Sequence, residues 1–143
     1  MSKTIPRVFI DTNVWFSAFY RSENPENLLK AHVEGKIVAI ASQKVLNELI
    51  KNFKNKYPKA LKPLKNFLKT YPPVIIVDPN HISHEIVDLV DKKDRKIFQS
   101  AINSKAKIFV TGNLKHFKIQ EIYTKYKIEV IPPREAVMIL LDN

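Results

Sequence analysis

The sequence predicts an α/β sandwich built on a mostly parallel sheet, and two observations carry that prediction. Short, continuously apolar, β-prone runs recur along the chain, and the stretches between them have helix length and helix punctuation. With 143 residues the chain has the size of one domain, spanning 1–143, long enough to bury most of the apolar surface it would expose unfolded.

The first run, Val8, Phe9 and Ile10, halts at the polar Asp11, Thr12 and Asn13, as a buried parallel strand does on leaving a sheet. Similar runs follow at 37–41, 74–77, 108–110 and 128–131. Asn24 before Pro25 offers an N-cap with proline at the first helical position and opens a helix through Val33, and Ser42 can cap a second one through Phe53. Leu61, Leu64 and Leu68 form an apolar seam, with Lys59, Lys62 and Lys69 roughly across the helix from it. Further helices are expected at 84–90 and 94–104, and a last one at 134–141.

Composition narrows the chemistry. Hydrophobic residues make up 45% and charged residues 27%, which argues for a globular chain and against disorder. No apolar run reaches the roughly 18 residues a membrane span needs, and Lys3 and Arg7 are not followed by a long apolar leader segment. A cytoplasmic protein without a membrane partner is therefore expected. With no cysteine there is no disulfide, Cys-ligated zinc or thiol catalysis, so oxygen and imidazole groups must do any chemistry and a metal would be a hard cation. Two glycines are too few for a Gly-rich phosphate loop or a dinucleotide fingerprint.

The net charge of +10 points to a polyanionic partner, because each Lys or Arg near a phosphate releases condensed counterions. Its distribution sharpens the reading. Between Glu48 and Asp78 there is no acid, while Lys51, Lys54, Lys56, Lys59, Lys62, Lys65 and Lys69 recur with Tyr57 and Tyr71 among them. Lys62, Lys65 and Lys69 are the candidate contacts to a nucleic-acid backbone. The alternative is a solvated face that serves solubility.

Ligands of open α/β sheets gather at the carboxyl ends of the strands. Asp11 follows the first run, and Thr111, Gly112 and Asn113 follow the run 108–110, so both sets should share one edge. Asp94 opens a helix whose apolar stripe is Ile97, Phe98, Ala101 and Ile102, which turns its carboxylate toward the sheet. Each residue also has a plainer role to weigh. Asp94 and Asp11 can be helix N-caps, and Asn113 can be a turn residue after Gly112. Glu48 lies more than a right angle off the Val45, Leu49, Phe53 stripe, with Lys44 four residues earlier as an ion-pair partner, and by periodicity alone it is exposed.

The ordered series VFIDTNVW at 8–15, LNEL at 46–49, KKDRKIFQSAINSKAKIFVTGNLKHF at 92–117 and VIPPREAV at 130–137 resembles the PIN domain, specifically the toxin components of toxin–antitoxin pairs related to VapC-like toxins. The resemblance spans nearly the whole chain. It implies a three-layer α/β/α sandwich that hydrolyses RNA phosphodiester bonds with Mg2+ or Mn2+, a cognate antitoxin, and a homodimer. Trp15, Phe16, Phe19 and Tyr20, more apolar surface than one helix face needs, add weak support for the dimer. The family's acids fall on Asp11, Glu48 and Asp94 as metal ligands, its fourth polar position on Asn113, and Thr111 and Asn13 lie in support. Many PIN domains carry aspartate at that fourth position; Asn113 removes a charge and bears on whether a second metal binds.

The residue chemistry agrees with that implication. Hard cations take oxygen ligands, Mg2+ usually keeps several waters beside one or two carboxylates, and clustered acids repel one another until a cation neutralises them. Hydrolysis by an activated water leaves 5′-phosphate and 3′-hydroxyl ends and needs no nucleophilic side chain. His116 is the only histidine near the site, and contact with substrate is a minor candidate role for it. Two other readings stand beside this one: an RNA-binding module whose turnover is weakened at Asn113, and a structure-specific DNA nuclease, which the small size disfavours.

Overall fold

The computed structural model describes residues 4–20 and 22–141. Five strands, β1 (Arg7–Ile10), β2 (Val38–Ser42), β3 (Val74–Ile76), β4 (Ile108–Val110) and β5 (Glu129–Ile131), form one wholly parallel sheet in the order β3-β2-β1-β4-β5. Among the described residues, seven α-helices connect and flank them: α1 (Thr12–Phe19), α2 (Glu23–Val33), α3 (Gln43–Lys56), α4 (Leu61–Thr70), α5 (Arg95–Asn103), α6 (Ile119–Tyr126) and α7 (Pro133–Leu141).

The central strand explains the layering. Neighbouring residues of a strand point to opposite faces, yet Val8, Phe9 and Ile10 are all fully buried, so both faces of the sheet are covered. On one face Phe9 stacks on Phe109 at 5.5 Å, and Phe98 of α5 meets the same ring edge-on at 5.2 Å. Phe117 joins them from the segment after β4. This aromatic knot fixes the register of β1 against β4, Val8 beside Ile108 and Ile10 beside Val110.

Several helix ends follow from single residues. Ser42 caps α3 as expected, its Oγ accepting from the Val45 amide at 3.2 Å. Helix α2 opens at Glu23, with Ser22 in the cap position, so the expected Asn24 cap is corrected and Pro25 falls third. Proline is tolerated throughout the first turn because those amides have no intrahelical acceptor. The segment 84–90 is a 3-10 turn over His84–Asp88 rather than an α-helix. The Arg95 guanidinium donates to the Val90 and Val87 carbonyls at 2.9 Å each, satisfying acceptors at the end of this segment. Helix α6 was not expected from the pattern; only its Ile122 is buried, and Lys127 in the left-handed conformation ends it.

The surplus aromatics of α1 find partners inside the chain. Trp15 is fully buried and donates Nε1–H to the Ile10 carbonyl at 3.0 Å, while Phe16 stacks on Phe53 and Phe19 packs edge-on to Phe67. Tyr20 alone of the four is exposed, so these rings no longer argue for a second copy. No helix among the described residues is long and apolar enough to cross a membrane.

Candidate active site

Strand order reverses at β1: the chain runs from β1 out to β2 and β3, then crosses back to place β4 on the other side. The crevice at the carboxyl ends of β1 and β4 is thus the switch point at which such sheets bind ligands. Asp11 and Thr111 stand there as the first residues past each strand. The Asp11 amide extends the ladder to the Val110 carbonyl at 3.0 Å, and the Thr111 amide to Ile131 at 3.1 Å.

Asp11 is buried and its carboxylate is held from three directions. Oδ1 accepts from the Thr12 amide at 2.8 Å, so Asp11 is the N-cap of α1 as well as a site candidate. Oδ2 accepts from the Thr111 hydroxyl at 2.9 Å and from Asn13 Nδ2 at 3.1 Å. A carboxylate has about four lone-pair positions, so room is left for a further ligand. Asn13 ties the two loops together, because its Oδ1 accepts from the Gly112 amide at 2.8 Å. A Cβ at Gly112 would sit 3.0 Å from that Oδ1, which is why the position suits glycine. Burial pushes the Asp11 pKa up to about 6; the bonds from Thr111 and Thr12 oppose this, and the charges of Asp94 and Glu48 add to it.

Glu48 reaches the same crevice by a contact that helical periodicity does not contain. Its Oε1 accepts from the Thr12 hydroxyl at 3.0 Å, although the side chain stays 40% exposed and Lys44 lies 3.6 Å from Oε2. Asp94 occupies the N-cap position of α5 without a capping hydrogen bond. Its Oδ2 instead meets His116 Nδ1 at 2.9 Å, and His116 Nε2 lies 3.8 Å from Asp91 Oδ2. A short backbone pairing sets up this contact: the Asp91 amide donates to His116 and the Lys118 amide to Leu89, each at 2.9 Å. Burial raises the Asp94 pKa, against the opposing charge and hydrogen bond of His116.

Among the described residues, Asp91, Asp94 and His116 are the group whose ligating atoms all lie within 4.8 Å of one another. Asp94 and Glu48 each act on Asp11 through their charges, and neither Asp11 nor Glu48 belongs to that set. The donors around the crevice are carboxylates, hydroxyls, an amide and one imidazole, a set that suits a hard cation holding part of its water shell. Asn113 adjoins them. Its amide donates to Thr111 Oγ at 3.1 Å and its carbonyl accepts from His116 N at 3.0 Å, so the backbone does the work of a turn. The Asn113 side chain makes no hydrogen bond among the described residues.

Thr12, Asp91 and the pairing of His116 were missed in the sequence reading. The i, i+3 spacing of Asp91 and Asp94 was the one available signal. Lys62, Lys65 and Lys69 are all exposed on α4. The end of that helix lies at the amino edge of the sheet, where His32 bridges the Tyr71 carbonyl and the Ala39 amide. An apolar cavity of about 590 Å3, lined by Leu114, Ile119, Tyr123, Ile131 and Pro132, flanks β5 and holds none of the clustered acids.

Comparison with known proteins agrees with this architecture. No curated protein matches the sequence. The fold is similar to a chain in the crystal structure of VapBC2 from Rickettsia felis bound to a DNA fragment from their promoter, with a TM-score of 0.63 over 88% of this chain and 98% of that one. At 18% identity the likeness is one of fold. Residues 7–115 match the PIN domain family, a stretch that runs from the first residue of β1 to the turn beside His116 and takes in Asp11, Glu48, Asp94 and Asn113. The chain belongs to the PIN domain family.

Proposed function

We propose that this protein is a metal-dependent endoribonuclease of the cytoplasm and the toxin of a toxin–antitoxin pair. The observation that carries the reading is the Asp11 carboxylate at the switch point, held by Thr111, Asn13 and Thr12, whose proton affinity is raised chiefly by burial and further by the charges of Asp94 and Glu48. A buried carboxylate with other acids nearby gains from a cation placed among them, and PIN domains are nucleases. Asp11 and Asp94 would hold Mg2+ or Mn2+, with Glu48 acting through the ion's waters. Such an ion would supply Lewis-acid polarisation of a water and of the phosphate oxygens.

The chain's own groups supply the order. Thr111, Asn13 and the Thr12 amide fix the Asp11 carboxylate, and the Thr12 hydroxyl tethers Glu48 to the same helix start. His116 orients Asp94. Asn113, with no recorded hydrogen bond to its side chain among the described residues, offers a neutral carbonyl oxygen or an N–H to the water shell or to substrate. The cognate antitoxin is the partner suggested by family resemblance and by the VapBC2 fold likeness.

Incubating RNA with the purified protein and Mn2+, then mapping the ends, tests the proposal. Cleavage to 5′-phosphate and 3′-hydroxyl products that is lost in Asp11→Asn and Asp94→Asn supports it. A second reading is motivated by Asn113 alone: a PIN module that binds RNA with weakened turnover. Tight RNA binding with no cleavage at any Mn2+ concentration would favour that second reading.

A further inference from the structure

The lysines conspicuous in the sequence and the lysines beside the acids are different residues. A cavity of about 580 Å3 is lined by Lys44, Ile82, Asp91, Lys92, Lys93 and Lys96. Lys44 stands in the first turn of α3, four residues before Glu48. Lys92 and Lys93 belong to the 3-10 turn that ends at Asp94, and Lys96 is the second residue of α5. The groove therefore runs along the acids on the β2 side of the crevice.

Its walls are tied down rather than loosely assembled. The Lys44 amide donates to Asp78 Oδ1 at 3.0 Å, and the Ser83 amide beside Ile82 donates to Gln99 Oε1 at 2.8 Å. Both bonds join the crossing segment after β3 to the helices that carry the lysines. Lys44 is paired with Glu48, whereas Lys92, Lys93 and Lys96 make no ion pair among the described residues. Four cations thus line a concave surface that contains one carboxylate, Asp91. A concave surface lined mainly by one sign of charge focuses field and concentrates counterions.

Distance decides between this surface and α4. Acids at a cleavage site repel the phosphates they must approach, so the compensating charge has to lie within a Debye length, about 8 Å at physiological salt. The end of α4, with Lys69, sits at the amino edge of the sheet. His32 anchors that helix end at Ala39, and the three steps from Ala39 to Ser42 separate it from the carboxyl edge of the sheet by about 10 Å at roughly 3.3 Å per residue.

We propose that the groove formed by Lys44, Lys92, Lys93 and Lys96 holds the phosphate backbone of the RNA strand beside the carboxylates, and that Lys69 and its α4 neighbours act only through the general positive field. The proposal rests on the ribonuclease reading above. Ile82, partly exposed on the groove wall, gives a ribose or base an apolar surface to lie against.

The test compares two triple variants, Lys92→Gln/Lys93→Gln/Lys96→Gln and Lys62→Gln/Lys65→Gln/Lys69→Gln, binding a fluorescent single-stranded RNA in EDTA across a salt series. Each lost phosphate contact to a single strand removes about 0.7 from the slope of log affinity against log salt. The groove triple should lose about 2 in slope and at least tenfold in affinity at low salt, while the α4 triple keeps the wild-type slope. Equal slopes for the groove triple and wild type, or a larger loss in the α4 triple, overturn the proposal. If the groove triple does not fold, Lys96→Gln and the charge-keeping Lys96→Arg carry the same test, with a slope loss of about 0.7 expected in the first only. Cleavage by the wild type with Mn2+, assayed separately, keeps failure of the nuclease reading distinct from failure of the groove.

Discussion

The Thr111 hydroxyl donates to Asp11 Oδ2 at 2.9 Å, joining residues 100 positions apart in sequence. The Thr111 Oγ in turn accepts from the Asn113 amide at 3.1 Å, so one side chain spans β1 and the turn after β4. Thr111→Val removes the donor to a buried carboxylate and leaves that amide without its acceptor. Hydrogen bonds to charged groups contribute roughly 1.5–3 kcal/mol, and a loss of that size is expected in urea unfolding. Thr111→Ser, which keeps the hydroxyl, should recover most of it. A Val variant as stable as the wild type would mean that the bond contributes nothing.

Asp11 also gives the protein a pH dependence with a definite sign. Its folded pKa of about 6 exceeds the ordinary 3.8, so the folded state binds the proton more tightly than the unfolded state. The resulting penalty is absent below about pH 4, grows as pH rises and is complete above about pH 6; the gap corresponds to roughly 3 kcal/mol. Without metal, the stability of Asp11→Asn relative to wild type should therefore increase between about pH 4.5 and pH 7. Thermal melts in EDTA at several pH values measure it, and a flat difference would place the acid's titration elsewhere.

Gly112 has no positive φ to protect, so Gly112→Ala acts through its Cβ alone, 3.0 Å from Asn13 Oδ1. Asn13 must shift by a few tenths of an ångström, loosening its hold on Asp11 Oδ2. We expect a stability loss of about 1 kcal/mol, a fall in melting temperature of roughly 2–4 °C for a chain of this size, and a larger proportional fall in kcat than in KM. Unchanged turnover would show that Asn13 does not position Asp11.

Replacing Asn113 with Asp adds charge where the chain has an amide. Mn2+ affinity measured by calorimetry without RNA should rise, and activity should shift to lower metal concentration. Asn113→Ala should cost activity, because a polar contact to the water shell or substrate is lost. Wild-type cleavage by the Ala variant at limiting Mn2+ would reduce Asn113 to its backbone role in the turn.

How far these features could be read from sequence depends on how local their causes are. Val8, Phe9 and Ile10 announce a strand because burial on both faces demands an unbroken apolar run. Asp11, Thr111 and Asn13 could be placed together because strand ends share an edge in a parallel sheet. Glu48 could not be derived from its helix: the Thr12 hydroxyl that engages it lies 36 residues away and obeys no helical period. Asp94 was expected to face inward, but its partner depends on the pairing of Leu89 and Asp91 with His116 and Lys118, which periodicity cannot register. Helix α6 was overlooked although Ile119, Ile122 and Tyr126 fall at helical spacing on the face that meets the core; its eight residues, opening without a side-chain cap, give little helix punctuation.

The position of β1 at the centre of the sheet has a consequence for how activity appears during synthesis. Asp11 is made well before the strand on one side of it and the hydroxyl that holds it, which come 97 or more residues later, at Ile108 and Thr111. A nascent chain reaching only to Asn103 already carries Asp11, Glu48 and Asp94, but β1 then has one unpaired edge and His116 has not been made. Such a fragment should bind Mn2+ far more weakly than the whole chain, which calorimetry on a truncated protein can check. For the ribonuclease proposed above, assembly this late would keep the growing chain harmless to the message and the ribosome that are producing it.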